Sequence, residues 1–246
     1  STPGRLSRVV ACAADGAPRH EVRSVAAPDR GELLLRMTCC GLCGTDLFKI
    51  THGGLEDGVV LGHELVGVVV EVGAGVDGFA LNDRVVVPHH VACGDCALCL
   101  RGAHTQCATF RDNLLWPGGF SDLVLVRERA TRLAARVLPA TVSDAAAVFM
   151  EPAACVLRGL DRAALPIGEG CAVVVGAGSM GLLHLLVLRV ASPDLAVIVC
   201  DPVAQRRHSA VELGAAAGCE PGSALAAAVD RYSGGLGADA VFDTVG

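Results

Sequence analysis

"VVVGAGSMG", residues 173–181, is a run of three valines that opens into Gly176, Gly178 and Gly181, spaced as GxGxxG. The β-branched run reads as a buried strand, and the apolar stretch beyond it as a helix starting at about Ser179. Each glycine has its own task. Gly176 permits the turn, Gly178 lets a pyrophosphate approach the backbone, and Gly181 lets helix pack closely on strand. The phosphate then sits at the helix N-terminus, on the first-turn residues Ser179 and Met180. Asp201 ends the next strand, "AVIVCD", twenty residues after Gly181. A carboxylate there accepts both ribose hydroxyls of a dinucleotide. It also opposes a 2′-phosphate: at about 4 Å and an effective dielectric near 20, the repulsion is about 4 kcal/mol per unit charge. NAD is therefore expected over NADP. Arg206, placed with the cofactor-binding residues, and Arg207 are the cations that argue the other way.

Around this motif strand and helix alternate: "CAVVVG", a helix, "AVIVCD", a helix through "AQRRHSAVELG", then "ADAVFDTVG". That order predicts a parallel, doubly wound sheet. The first 150 residues read differently. "EVRSVAA", "GELLLRMTCC", "ELVGVVVEVG", "DRVVVPHH" and "SDLVLVRE" are short and β-branched, punctuated by Gly, Asp and Pro as in an antiparallel barrel. "SDAAAVFMEPAACVLRGLDRAA" marks the change to helix, with Ser143 as N-cap and Pro152 in a first turn. Two domains are expected, 1–150 and 151–246, with the boundary between Glu151 and Gly170. A six-stranded sheet in order 3-2-1-4-5-6 would lack its last two strands here, so the residues read as part of a longer natural chain.

Composition narrows the function classes. Of 246 residues, 52% are hydrophobic and 19% charged, which excludes disorder and allows a large core. The net charge is −6, with Lys and Arg dispersed, so neither nucleic acid nor an anionic membrane has a basic footprint to bind. A small-molecule partner is favoured. "VVACAA" is too short for the core of a secretory signal, and the apolar window 171–188 is broken by glycines, so a cytoplasmic protein without a membrane span is expected. In that compartment twelve cysteines are thiols or metal ligands rather than disulfides.

"CGDCALCLRGAHTQC" spaces Cys93, Cys96, Cys99 and Cys107 by two, two and seven residues. Tetrahedral zinc needs four thiolates converging at about 2.3 Å, and two-residue gaps let one loop present successive sulfurs to a point. With four protein ligands such an ion has no vacancy and is structural. "CCGLCGTD", residues 39–46, contains Cys40 and Cys43 as CxxC, but a redox pair opens a helix in a thioredoxin-like unit, whereas this one ends a strand. "GHE" follows, with His63 and Glu64 opening another strand. A thiolate, an imidazole and a carboxylate suit a zinc that is not fully enclosed. Cys39 and Cys40 read as packed strand residues.

"CGTD", "GHE", the four-cysteine lobe, "MEP" and the glycine motif, in this order, resemble the zinc-dependent medium-chain dehydrogenase/reductase family, the alcohol, sorbitol and threonine dehydrogenases. The resemblance extends over essentially the whole chain. It implies a GroES-like barrel followed by a Rossmann sheet, two zinc ions (one catalytic, one structural) and a homodimer or homotetramer. It makes Cys43 and His63 catalytic zinc ligands, with Glu151 or Glu64 as a further ligand and Cys155 a weaker competitor. Asp46 orients His63, and Thr45 takes the substrate hydroxyl proton. Many relatives end that relay with a histidine where this chain has Phe48; Lys49 and His52 are the neighbours able to take its place. Phe110 and Trp116 fall where relatives line a substrate pocket and read as wall packing, while His89, His90, His104, His184 and His208 read as surface or packed residues. The activity implied is hydride transfer between NAD(H) and a secondary alcohol, a polyol, sugar or cyclitol, giving a ketone. An NADPH-dependent aldehyde or ketone reductase, or a zinc-stabilised binding protein without catalysis, are the alternatives.

Overall fold

A computed structural model describes residues 4–163, 165 and 170–245. The backbone falls into two units, Ser1–Glu151 and Pro152–Gly246. The interval expected to hold the domain boundary includes residues 164 and 166–169, which lie outside the described residues.

In the first unit, strands β1 (Arg5–Cys12), β2 (Pro18–Val25) and β3 (Leu33–Gly41) precede helix α1 (Gly44–His52), then β4 (Val59–Val60), β5 (Glu64–Val72) and β6 (Arg84–Val87). Helix α2 (Ala97–Leu100), β7 (Leu115–Trp116), β8 (Leu123–Val126), α3 (Glu128–Leu133), β9 (Arg136–Val137) and α4 (Asp144–Ala147) complete it, with α5 (Met150–Ala163) leading out. The strands form antiparallel sheets ordered β2-β1-β4 and β7-β8-β3-β5-β6-β9. Leu33, Leu35, Leu65, Val69, Val85 and Val126 share one core. Val66 and Val86 point to the opposite face and pack against Ala147. Burial on both faces explains why "ELVGVVVEVG" and "DRVVV" are continuous apolar runs rather than alternating ones. Each such side chain contributes about 1.5–3 kcal/mol when fully buried. Strand β1 was not expected, because an inward Ser7 interrupts its apolar period; the Ser7 hydroxyl accepts from the Leu123 amide at 3.0 Å.

The second unit alternates β10 (Gly170–Val175), α6 (Ser179–Ala191), β11 (Leu195–Cys200), α7 (Ala204–Glu212), β12 (Ala217–Cys219), α8 (Ser223–Ser233) and β13 (Ala240–Asp243). The strands are parallel and ordered β12-β11-β10-β13, the third-second-first-fourth half of a doubly wound sheet. Leu185 and Leu188 of α6 and Ala210 of α7 pack with Val174 and Val199. Leu225 and Val229 of α8 pack with Val173 and Ile198 on the other face. Cover on both faces is what a valine-rich parallel sheet requires. Strand β12 escaped the sequence because "AGC" lacks β-branched residues. Among the described residues, no helix is long and apolar enough to cross a membrane.

Candidate metal centres and dinucleotide site

The CGTD spacing is a helix-capping device. Cys43 is the N-cap of α1: its sulfur accepts from the Thr45 amide at 3.4 Å, while the Asp46 carboxylate reaches back to the Cys43 amide at 3.1 Å. This reciprocal pair pins the sulfur at the start of the helix. Gly62 turns the chain with φ of 90°, and a Cβ there would fall 2.8 Å from the Phe120 amide nitrogen, so only glycine delivers His63 to the head of β5. The donor atoms of Cys43, His63 and Glu64 then lie within 4.8 Å of one another. Glu151, in the first turn of α5, is in neither group of metal-competent side chains found among the described residues. Cys155 is exposed on the same helix and also outside both groups.

Asp46 is completely buried, and its Oδ1 lies 3.3 Å from His63 Nδ1, short of a well-formed hydrogen bond, so that oxygen has no other partner. Burial pushes the Asp46 carboxyl up, but His63 and the amides of Cys43 and Gly62 outweigh it and hold the group below the ordinary value. In return Asp46, ahead of the opposing effect of burial, raises His63 to about 9. With Nδ1 turned to a carboxylate, Nε2 is the nitrogen left for a ligand.

Beside this group is a cavity of about 190 Å³ whose walls include Asp46, Lys49, His63, His89, His90 and Arg111. The rings of His63 and His89 are 4.4 Å apart, those of His89 and His90 3.7 Å, and Phe110 continues the row 5.2 Å from His90. Burial, then the neighbouring cations, pushes His89 down to about 3 and lowers His90. His89 and His90 were read from sequence as surface or packed residues. Their adjacency to His63 had no signal in motif spacing, because it arises from the pairing of β5 with β6. Phe48 stacks on His52 at 4.1 Å, and His52 Nδ1 contacts the Phe48 carbonyl and the Thr51 hydroxyl at 3.1 and 3.0 Å.

The second group is the cysteine lobe. Cys93 and Cys99 sulfurs are 3.8 Å apart, Cys96 and Cys99 3.5 Å, and Cys93 and Cys107 3.6 Å. Four sulfurs at about 2.3 Å from one ion, at tetrahedral corners, are separated by about 3.8 Å. The lobe therefore has the dimensions of a closed thiolate site. Gly94 and Gly102, with φ of 90° and 75°, make the turns that bring the sulfurs round. The Cys93 amide donates to Cys107 and, with Thr109, holds that thiol below its ordinary value.

In the second unit a Cβ on Gly181 would lie 1.9 Å from the Gly176 carbonyl oxygen, whereas one on Gly178 would meet nothing within 4 Å. The first position is closed by packing and the second open to a ligand. Gly178 caps α6 without a side-chain bond, leaving first-turn amides at Ser179 and Met180 for an anion. Asp201 is buried and fastens the loop: its Oδ2 accepts from the Ala177 amide and its Oδ1 from the Val203 amide, each at 2.8 Å. Burial raises its pKa, but those amides more than compensate and lower it. Each oxygen keeps a lone pair for a ribose hydroxyl. Arg207 is committed to the Asp201 and Pro202 carbonyls and to Glu220, while Arg206 stands 3.8 Å from the Asp201 carboxylate.

Residues 29–135 match the alcohol dehydrogenase GroES-like domain. The 2-dehydro-3-deoxy-L-galactonate 5-dehydrogenase of Pseudoalteromonas atlantica is 35% identical over 225 residues, covering 89% of this chain and 64% of that protein. A candidate zinc-binding dehydrogenase from Sinorhizobium meliloti, solved with NADP, shares 29% identity and a TM-score of 0.78 over 95% of this chain and 66% of its own. The RspB alcohol dehydrogenase of E. coli, solved with NADH, shares 26% identity and a TM-score of 0.83 over 99% and 70%. The chain spans about half to two thirds of the length of the curated relatives it matches. Likeness of this extent, covering both units, supports the zinc-dependent medium-chain dehydrogenase/reductase family as the one this chain is similar to.

Proposed function

We propose that the protein is a zinc-dependent dehydrogenase moving a hydride between NAD(H) and a secondary alcohol on a polyhydroxylated carbon chain. The observation that carries this reading is the meeting of Cys43, His63 and Glu64 within 4.8 Å, backed by a buried Asp46. Three mixed donors suit a catalytic zinc, and the four sulfurs of the lobe suit a structural one. Zinc bound at the first site supplies Lewis acidity that makes a substrate hydroxyl easier to deprotonate. Cys43, His63 and Glu64 would hold the metal, with Glu151 as the exchange partner of Glu64. Asp46 fixes the His63 tautomer and orientation. Thr45, exposed beside Cys43, accepts the hydroxyl proton. The glycine loop with the first-turn amides of Ser179 and Met180, and Asp201, would hold the dinucleotide, which would supply the hydride acceptor for oxidation of the carbinol to a ketone.

Asp201 supports NAD, since it would face a 2′-phosphate with like charge. Arg206, 3.8 Å from its carboxylate, is the neighbouring cation that favours the phosphate. The name of the Pseudoalteromonas relative supports a polyhydroxylated substrate. The test is metal content joined to turnover. Two zinc ions per chain and NAD-dependent oxidation of a polyol and sugar panel are expected. Thr45→Val should lower kcat about 100-fold with zinc content intact; equal loss of both would remove Thr45 from the relay. Turnover with NADPH alone would replace the NAD reading by a reductase.

A further inference from the structure

We infer that the cavity beside the candidate metal centre is built for a carboxylate, so that Lys49 and Arg111 hold the acid end of a short polyhydroxylated acid. This rests on the dehydrogenase reading above and narrows its substrate from polyols in general to sugar acids. The cavity of about 190 Å³ is lined by Asp46, His63, Lys49, His90 and Arg111 among others, all within the first unit. It is smaller than the roughly 300 Å³ at which pockets for drug-sized ligands begin, and suits one small molecule.

The charges on its walls do not cancel. Of the two acidic residues that line it, Asp46 is completely buried and engaged by the Cys43 amide, and Asp112 is paired with Arg129 at 2.8 Å. Lys49 and Arg111 have no ion pair with an acidic side chain among the described residues. Two uncompensated cations thus share a concave wall with a metal-competent group. An ammonium and a guanidinium there match the oxygens of a carboxylate, by point charge and by fork. A second observation concerns the polarity of the lining: His89 and His90 both face the cavity, and an imidazole edge offers a donor or an acceptor to a ligand hydroxyl. Lys49 enters because α1 is capped at Cys43, which sets Asp46 and Lys49 one turn apart on the same side of the helix. In this proposal the acid is held by Lys49 and Arg111 and the reacting carbon lies toward His63, the member of the metal-competent group that lines the cavity.

The experiment uses the zinc-loaded full chain and matched probes: five- and six-carbon aldonates such as D-gluconate and D-galactonate against the corresponding neutral alditols. Binding is read by calorimetry and turnover by NADH formation. The aldonates should bind about 100-fold more tightly than the alditols. Lys49→Met and Arg111→Gln should each reduce that preference about tenfold, as expected of a charge-assisted hydrogen bond, and Lys49→Arg should restore most of it. Raising the salt concentration should weaken aldonate binding and spare alditol binding. Equal affinity for acid and alditol, or a preference unchanged in Lys49→Met and Arg111→Gln, overturns the inference. Turnover of alditols without aldonate binding overturns it too, while leaving the dehydrogenase reading standing. Aldonate binding that depends on both cations, without hydride transfer to any probe, upholds the pocket and overturns the assigned reaction.

Discussion

The two groups of metal-competent side chains differ in how the chain makes them. The lobe draws four thiols from fifteen consecutive residues, 93–107, and sets them 3.5–3.8 Å apart, so local turns suffice. The other group takes a sulfur from a helix cap, an imidazole from the head of a strand and a carboxylate from the next residue, so it exists only once β3 and β5 have paired. Four like donors enclose an ion and favour permanence. Three unlike donors, with a buried carboxylate behind the imidazole and a polar cavity beside it, leave room for a substrate. The contrast teaches that cysteine number is a poor guide to reactivity here. In the function proposed above, the cysteine-poor group carries the chemistry.

The comparison can be broken first at its reactive end. His63→Ala should cut kcat/KM at least about 10⁴-fold, with one zinc equivalent lost and the fold retained by circular dichroism. Loss of zinc without loss of activity would end the catalytic assignment. At the other end, Cys99→Ser, or chelation of the lobe ion, should destabilise the first unit by about 4 kcal/mol or more, seen as a lower Tm. If Tm held and only turnover fell, the roles of the two sites would be reversed. Asp46→Asn should leave the backbone geometry of α1 largely intact yet weaken zinc binding or activity about 10- to 100-fold. Its neutral amide holds the Nδ1 proton of His63 less strongly than the carboxylate does, so the ring is less well oriented and less basic at Nε2. The smallest effect sharpens the choice of third donor: Glu64→Gln should lower zinc affinity roughly tenfold more than Glu151→Gln. The reverse ranking would make Glu151 the resident ligand.

Much of the fold was legible in the sequence because its signals are local. Three valines before GxGxxG announce a strand, a turn and a helix, and the glycines report their own reasons: no Cβ fits at Gly181, and φ of 95° at Gly176 needs a glycine. What stayed hidden was structure whose signal is weak or non-local. Ser7 masked β1, and the small residues of β12 concealed the strand that β11 pairs with. The lobe was legible for the same reason as the glycine loop, since its spacing is short. His89 and His90 were not, because nothing in "PHH" reveals that β6 will lay them against His63. Arg207, set against the NAD reading but expected at its place in a helix to be solvated or paired, is spent on backbone carbonyls and Glu220.

From the sequence alone came the fold class, the family likeness and the residue types able to bind metal and dinucleotide, because short-range spacing and hydrophobic period encode them directly. Only tertiary structure decided which carboxylate stands beside Cys43 and His63, and that two cations with no acidic partner among the described residues face the same cavity. Those facts depend on strand pairing between residues distant along the chain, and on which charges are already neutralised by neighbours, neither of which a linear pattern records.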